Sequence, residues 1–179
     1  MKIKFVSAYS YLILVVLSFF PFLTLVVRAA SSDTVTATVS VQQVSVSLDN
    51  VDGISFGTIA SSGTQDTTTN GVNDSTTATN DGNVTVDFNI QASDTVSWTL
   101  VQTAVGDETY NMKFCTTTCD TSPSWTNVGR AAQSEYATLA EDITASGTQV
   151  FDLQVGAPST SIAVSAQSIT VTVQASLPT

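Results

Sequence analysis

The stretch TVTATVSVQQVSVSLD, residues 34–49, alternates apolar and polar side chains, and the alternation changes phase in the middle. Val35, Ala37, Val39 and Val41 hold odd positions, whereas Val44, Val46 and Leu48 hold even ones. A two-residue period marks a strand with one buried face, and a one-residue shift turns its apolar set to the other face. A β-bulge at Gln42-Gln43 produces such a shift and lets one long strand bend between two sheets. A functional reading stands beside it: residues 34–41 are an arm that detaches and completes the sheet of a neighbouring subunit, a strand-addition mode that builds fibres.

The same period runs through the rest of the chain. Val84, Val86, Phe88 and Ile90 share one face of NVTVDFNI; Val96, Trp98 and Leu100 do so in TVSWTLV, and Tyr110, Met112 and Phe114 in YNMKF. Phe151, Leu153 and Val155 alternate with Asp152 and Gln154, which places both polar residues outward, as it does Asp87; Ile169, Val171, Val173 and Ala175 close the series. Thr and Val dominate, and β-branched side chains suit a pleated, half-buried surface. Turn chemistry separates the runs, at VDG (51–53), TNDGN (79–83), VGDE (105–108) and GAPS (156–159). This pattern predicts an all-β, antiparallel β-sandwich of jelly-roll or immunoglobulin-like type with about seven to nine strands. Two segments differ. DTTTNGVNDSTTAT, residues 66–79, reads as a long exposed loop whose last residues enter the next strand, and Tyr136, Leu139 and Ile143 in residues 130–143 fit a short surface helix.

Upstream of the arm, Lys2 and Lys4 precede a run of about 23 mainly apolar residues that ends near Arg28-Ala29-Ala30. The layout predicts an export signal over residues 1–29, forming a hydrophobic leader helix, or the same segment retained as a membrane anchor. Either way residues 30–179 form one β-sandwich domain outside the cytoplasm, extracellular or on the cell surface. About 150 residues suffice for a single core. Without the leader, Lys113 and Arg130 stand against fifteen carboxylates, a formal net charge of −13. Such a surface repels phosphate backbones, which sets nucleic acid aside as a partner.

Candidate chemistry is sparse. Cys115 and Cys119, in FCTTTCD, read as a disulfide that closes a small loop in an exported chain; two thiolates with no histidine fall short of a zinc site. The chain has no histidine, no Gly-x-Ser-x-Gly elbow and no phosphate-binding loop, so no catalytic residue, cofactor site or metal site is assigned. Oxygen-rich NDGN (80–83) and DNVDG (49–53) match no calcium-loop spacing and read as turns. Asn73 and Asn83 head glycosylation sequons, and Trp125 is a candidate contact for a glycan or partner, with core packing as its alternative.

ISFGTI (54–59), followed by a polar loop and SWTL (97–100), resembles WxL-type bacterial cell-wall surface proteins. That resemblance implies an exported β-sandwich that binds peptidoglycan noncovalently. The distal Trp-x-Leu of that family has no counterpart here, since Trp125 is followed by Thr126 and Asn127. Over nearly all of the chain beyond the leader, the signal, the Thr/Val/Asn-rich strands and the empty catalytic set are similar to camelysin-like and biofilm-matrix fibre proteins. This second resemblance implies assembly by strand exchange. The expected function is a non-catalytic secreted or cell-surface structural protein, a subunit of a filament, matrix or surface layer whose partner is a further copy of itself. The alternative is a cell-wall or glycan-binding module. Contact with a membrane is expected only through an uncleaved leader.

Overall fold

The computed structural model describes residues 32–179, so the export leader or anchor expected over residues 1–29, with its expected helix, lies outside the described residues. Contacts divide the chain into one unit ending at Val39 and a second, Ser40–Thr179. Within the first unit, residues 32–39 have no regular secondary structure and are exposed. The second unit is all-β and sandwich-like, with eleven short strands in two sheets.

The larger sheet is built from β1 (Val46–Leu48), β2 (Thr64–Asp66), β3 (Thr76–Asn80), β5 (Thr99–Leu100), β6 (Thr109–Cys115), β7 (Thr126–Asn127) and β10 (Thr148–Gly156). Its order is β1-β3-β10-β6-β5, with β2 pairing β10 and β7 pairing β6. The smaller sheet holds β4 (Val86–Ala92), β8 (Gly129–Arg130), β9 (Ala137–Ile143) and β11 (Val171–Ser176), with β11 on one edge of β4 and both β8 and β9 on the other. Alternation explains why β4, β6 and β10 are the longest central strands. Val86, Phe88, Ile90 and Ala92 of β4 are buried, as are Tyr110, Met112 and Phe114 of β6 and Phe151, Leu153 and Val155 of β10. These side chains meet in one core between the sheets. Tyr110 is buried with them, its hydroxyl donating to the Ser93 carbonyl; burial, with the Asp94 charge adding, pushes its phenol well above the usual range.

Several expectations are corrected. Eleven strands replace about seven to nine, because β5, β7 and β8 are two-residue pairings that carry no periodic signal. The sheets are mixed and not purely antiparallel, since β4 pairs β8 and β5 pairs β6 in parallel. No strand crosses Gln42-Gln43; only Val46–Leu48 of the opening stretch pairs, so the phase change there is not a bulge. A real register shift sits in β9, where Val86 faces Ile143 but Phe88 faces Ala140. Asp142 takes the strain there with φ 56°, its N–H donating to Asp87 Oδ1 at 2.9 Å. The expected helix over residues 130–143 is a single 3-10 turn, Ala131–Gln133, followed by β9. Pairing with β4 overrides the helical spacing, and Tyr136 is 41% exposed.

Three side chains or segments also face the other way. Val96 is fully exposed instead of lying on the inner face with Trp98 and Leu100, because residues 95–98 form a turn in which Thr95 Oγ1 accepts from the Trp98 N–H at 2.8 Å. Asp152 is 6% exposed, not outward. The loop that leads to β3 is not fully exposed, since Thr67 and Thr68 are buried; Thr67 binds β10, its N–H donating to Leu153 O and its hydroxyl to Asp152 Oδ1, while the Thr68 hydroxyl donates to Asp66 Oδ1. Among the described residues, no helix is long and apolar enough to cross a membrane.

Candidate functional site

Cys115, at the end of β6, and Cys119 are joined in a disulfide with Cα atoms 5.8 Å apart. Thr118, at φ 52°, turns the chain inside this loop, and its carbonyl accepts from the N–H groups of Thr121 and Ser122. By the loop-closure relation so short a ring contributes about 2 kcal/mol. The staple also holds a neighbour. Asp120 Oδ1 accepts from the Thr69 N–H at 2.7 Å and from Thr69 Oγ1 at 2.8 Å, while its carbonyl accepts from Asn70 Nδ2 at 3.1 Å. The backbone hydrogen bond from Thr69, and then its hydroxyl, hold the Asp120 carboxyl below the usual range.

The two sequon asparagines differ. Asn73 is exposed on a turn at φ 54°, its N–H donating to Thr68 O. Asn83 clamps the chain that enters β1. Its Nδ2 donates to Val41 O at 2.8 Å, its Oδ1 accepts from the Gln43 N–H at 2.7 Å, and its own N–H donates to Gln43 O at 3.1 Å. A side-chain amide thus performs for Val41 and Gln43 what a strand partner does in a ladder. Both oxygen-rich turns are occupied in the same way. Asn80 Oδ1 accepts from the Gly82 N–H, and Asp49 Oδ1 accepts from the Thr77 N–H at 2.7 Å. Among the described residues, no three acidic or cysteine side chains gather where a metal ion would bind.

A cleft of about 890 Å³ opens in the second unit. Its floor includes core side chains, among them Met112, Phe151, Leu153 and Val155. One wall is the extended segment 54–59, whose Ile54, Phe56 and Ile59 pack against the core; the other runs from residue 163 to Val171 at the start of β11. Gly57, at φ +69°, shifts the phase of the first wall, so that the apolar positions are 54, 56 and then 59. None of the residues lining the cleft is charged, in a chain with fifteen carboxylates. Trp98 closes one side: it packs against Tyr110 with ring centroids 6.4 Å apart, and its Nε1 donates to Ser161 Oγ at 2.9 Å. The second wall is pinned below residue 163, where Glu108 accepts from Ser161 Oγ and from the Ile162 N–H. Trp125 is half-buried just ahead of β7 and takes no part in the cleft.

Sequence reading found the disulfide but neither the clamp that Asn83 makes nor the cleft, whose two walls carry no turn chemistry that marks them as a pair. What the fold and the site define together is an all-β, two-sheet protein with a stapled loop and an uncharged, apolar-floored cleft. In comparisons with known proteins, no family model matches the chain, and no curated protein or solved structure matches it.

Proposed function

We propose that the chain is an exported, non-catalytic structural subunit of an extracellular filament, matrix or surface layer, assembling by strand addition. The observation that carries this reading is the state of the arm. Val35 is 93% exposed, Val39 91% and Val41 79%, on one face of a segment with strand composition that pairs with no strand among the described residues. Exposed apolar side chains in regular alternation mark a surface awaiting a partner. Burying each valine contributes roughly 1.5–3 kcal/mol, enough for a few of them to drive association. Residues 34–48 carry no charge, so the arm escapes the repulsion that an acidic surface imposes on approaching copies. We read the two sheets as a jelly-roll or immunoglobulin-like sandwich, a scaffold that tolerates an added strand at its edges. The resemblance to biofilm-matrix fibre proteins points the same way.

Sedimentation of the full chain over a range of concentrations tests this. The expected result is concentration-dependent polymers, abolished by deletion of residues 34–41 with the circular dichroism of the remaining domain unchanged. A chain that stays monomeric and is retained on purified cell wall contradicts the proposal and favours a glycan-binding module, for which the half-buried Trp125 is the candidate contact.

A further inference from the structure

Resting on that reading of the arm, we infer that the uncharged cleft is its acceptor: residues 34–41 of a second copy enter between the wall at 54–59 and the wall at 163–171. The cleft has what an added strand needs. Among the described residues, residues 52–59 make no backbone hydrogen bond, although Ile54 and Phe56 alternate inward as in a strand. On the facing wall, residues 166–169 likewise make none, and Ile169 packs inward. β1 and β11 are end strands of their sheets, each paired on one side only, and both line the cleft, through Leu48 and Val171. Two extended segments with unpaired backbone donors and acceptors therefore flank an apolar floor.

The arm is the complement. Val35, Ala37, Val39 and Val41 offer one apolar face to Met112, Phe151, Leu153 and Val155, and Thr36, Thr38 and Ser40 offer a hydroxyl face to water. Eight extended residues span about 27 Å, longer than the roughly 20 Å of the six-residue wall at 54–59. Neither arm nor cleft carries a charge, so the contact costs no desolvation of carboxylates. A second copy supplies the strand because the root of the arm is fixed elsewhere. Asn83 holds Val41 and Gln43 at the end of β1 where Val46 pairs Asn80, whereas the cleft begins at Leu48, at the other end of that strand.

Single-cysteine variants of the full chain test the site, since both native cysteines are already bonded to each other. Thr38→Cys marks the outward face of the donor, Ser55→Cys and Ser168→Cys mark the two walls, and Thr99→Cys marks the end strand β5 at the opposite edge of the larger sheet. The donor variant is mixed with each of the others at a concentration that sediments as polymer, oxidised, and mapped by peptide mass spectrometry. A new bond between two variants joins two chains by construction. The expected result is a bond from position 38 to position 55 or 168, at least tenfold above that to position 99. Polymers that bond position 38 to position 99, or to no wall, overturn the cleft as acceptor and leave strand addition standing. Absence of polymer at every concentration overturns both.

Discussion

Replacing Phe88 by alanine is expected to destabilise the sandwich by about 3–5 kcal/mol, the cost of removing a phenyl ring from a core that does not collapse around the hole. Phe88 is fully buried at the centre of β4, with Ala175 of β11 opposite on one side and Ala140 of β9 on the other. Both partners are alanines, too small to fill the space left behind. Val96→Ala serves as the contrast. The alternation in TVSWTLV puts Val96 on an inner face, but it is fully exposed, so its loss is expected to change stability by less than about 0.5 kcal/mol. Urea unfolding of the two variants checks both values. Comparable losses at the two positions contradict the placement of the core.

A second large effect is expected at Asp152, where the two conservative replacements separate. Thr67 Oγ1 at 2.8 Å and Ser75 Oγ at 2.6 Å both donate to the same oxygen, Oδ1. Thr67 Oγ1 in turn accepts from the Leu153 N–H at 2.8 Å, so the hydroxyl ties the loop before β3 to the middle of β10. Asp152→Ala strands the buried Thr67 hydroxyl and releases the exposed Ser75 hydroxyl to water, and is expected to cost about 1–3 kcal/mol. Asp152→Asn keeps one acceptor oxygen for both donors and is expected to cost less than half as much. Equal losses in thermal or urea unfolding contradict this hydrogen-bond assignment.

These two positions also show what the sequence reveals and what it hides. The core strands β4, β6 and β10 are legible because each is buried on one face for several residues in a row, so that the two-residue period survives noise. The disulfide is legible because the two cysteines of the sequence stand four residues apart, a spacing that closes a small local loop. Asp152 is hidden because its partners lie 85 and 77 residues away in a Thr/Ser-rich loop, and only the fold brings those hydroxyls to a position that alternation marks as outward. β9 is hidden because its extra residue near Asp142 breaks the alternation, leaving Tyr136, Leu139 and Ile143 at helical spacing by coincidence. The phase change at Gln42-Gln43 is visible but misleads. It falls where Asn83 holds the chain, between an exposed arm that pairs with no strand among the described residues and a short strand that does pair. The cleft is the least legible feature, because alternation along its walls reports a buried face without revealing that, among the described residues, the backbone of 52–59 and 166–169 makes no backbone hydrogen bond.

Hydrogen exchange by mass spectrometry, on dilute chain and on sedimented polymer, tests strand addition into the cleft most directly. The expected result is rapid exchange at residues 34–41, 52–59 and 166–169 in the dilute chain, with all three segments becoming protected together in the polymer. Protection of the arm that is already present at high dilution, or a polymer in which the arm is protected and both walls still exchange freely, would contradict it.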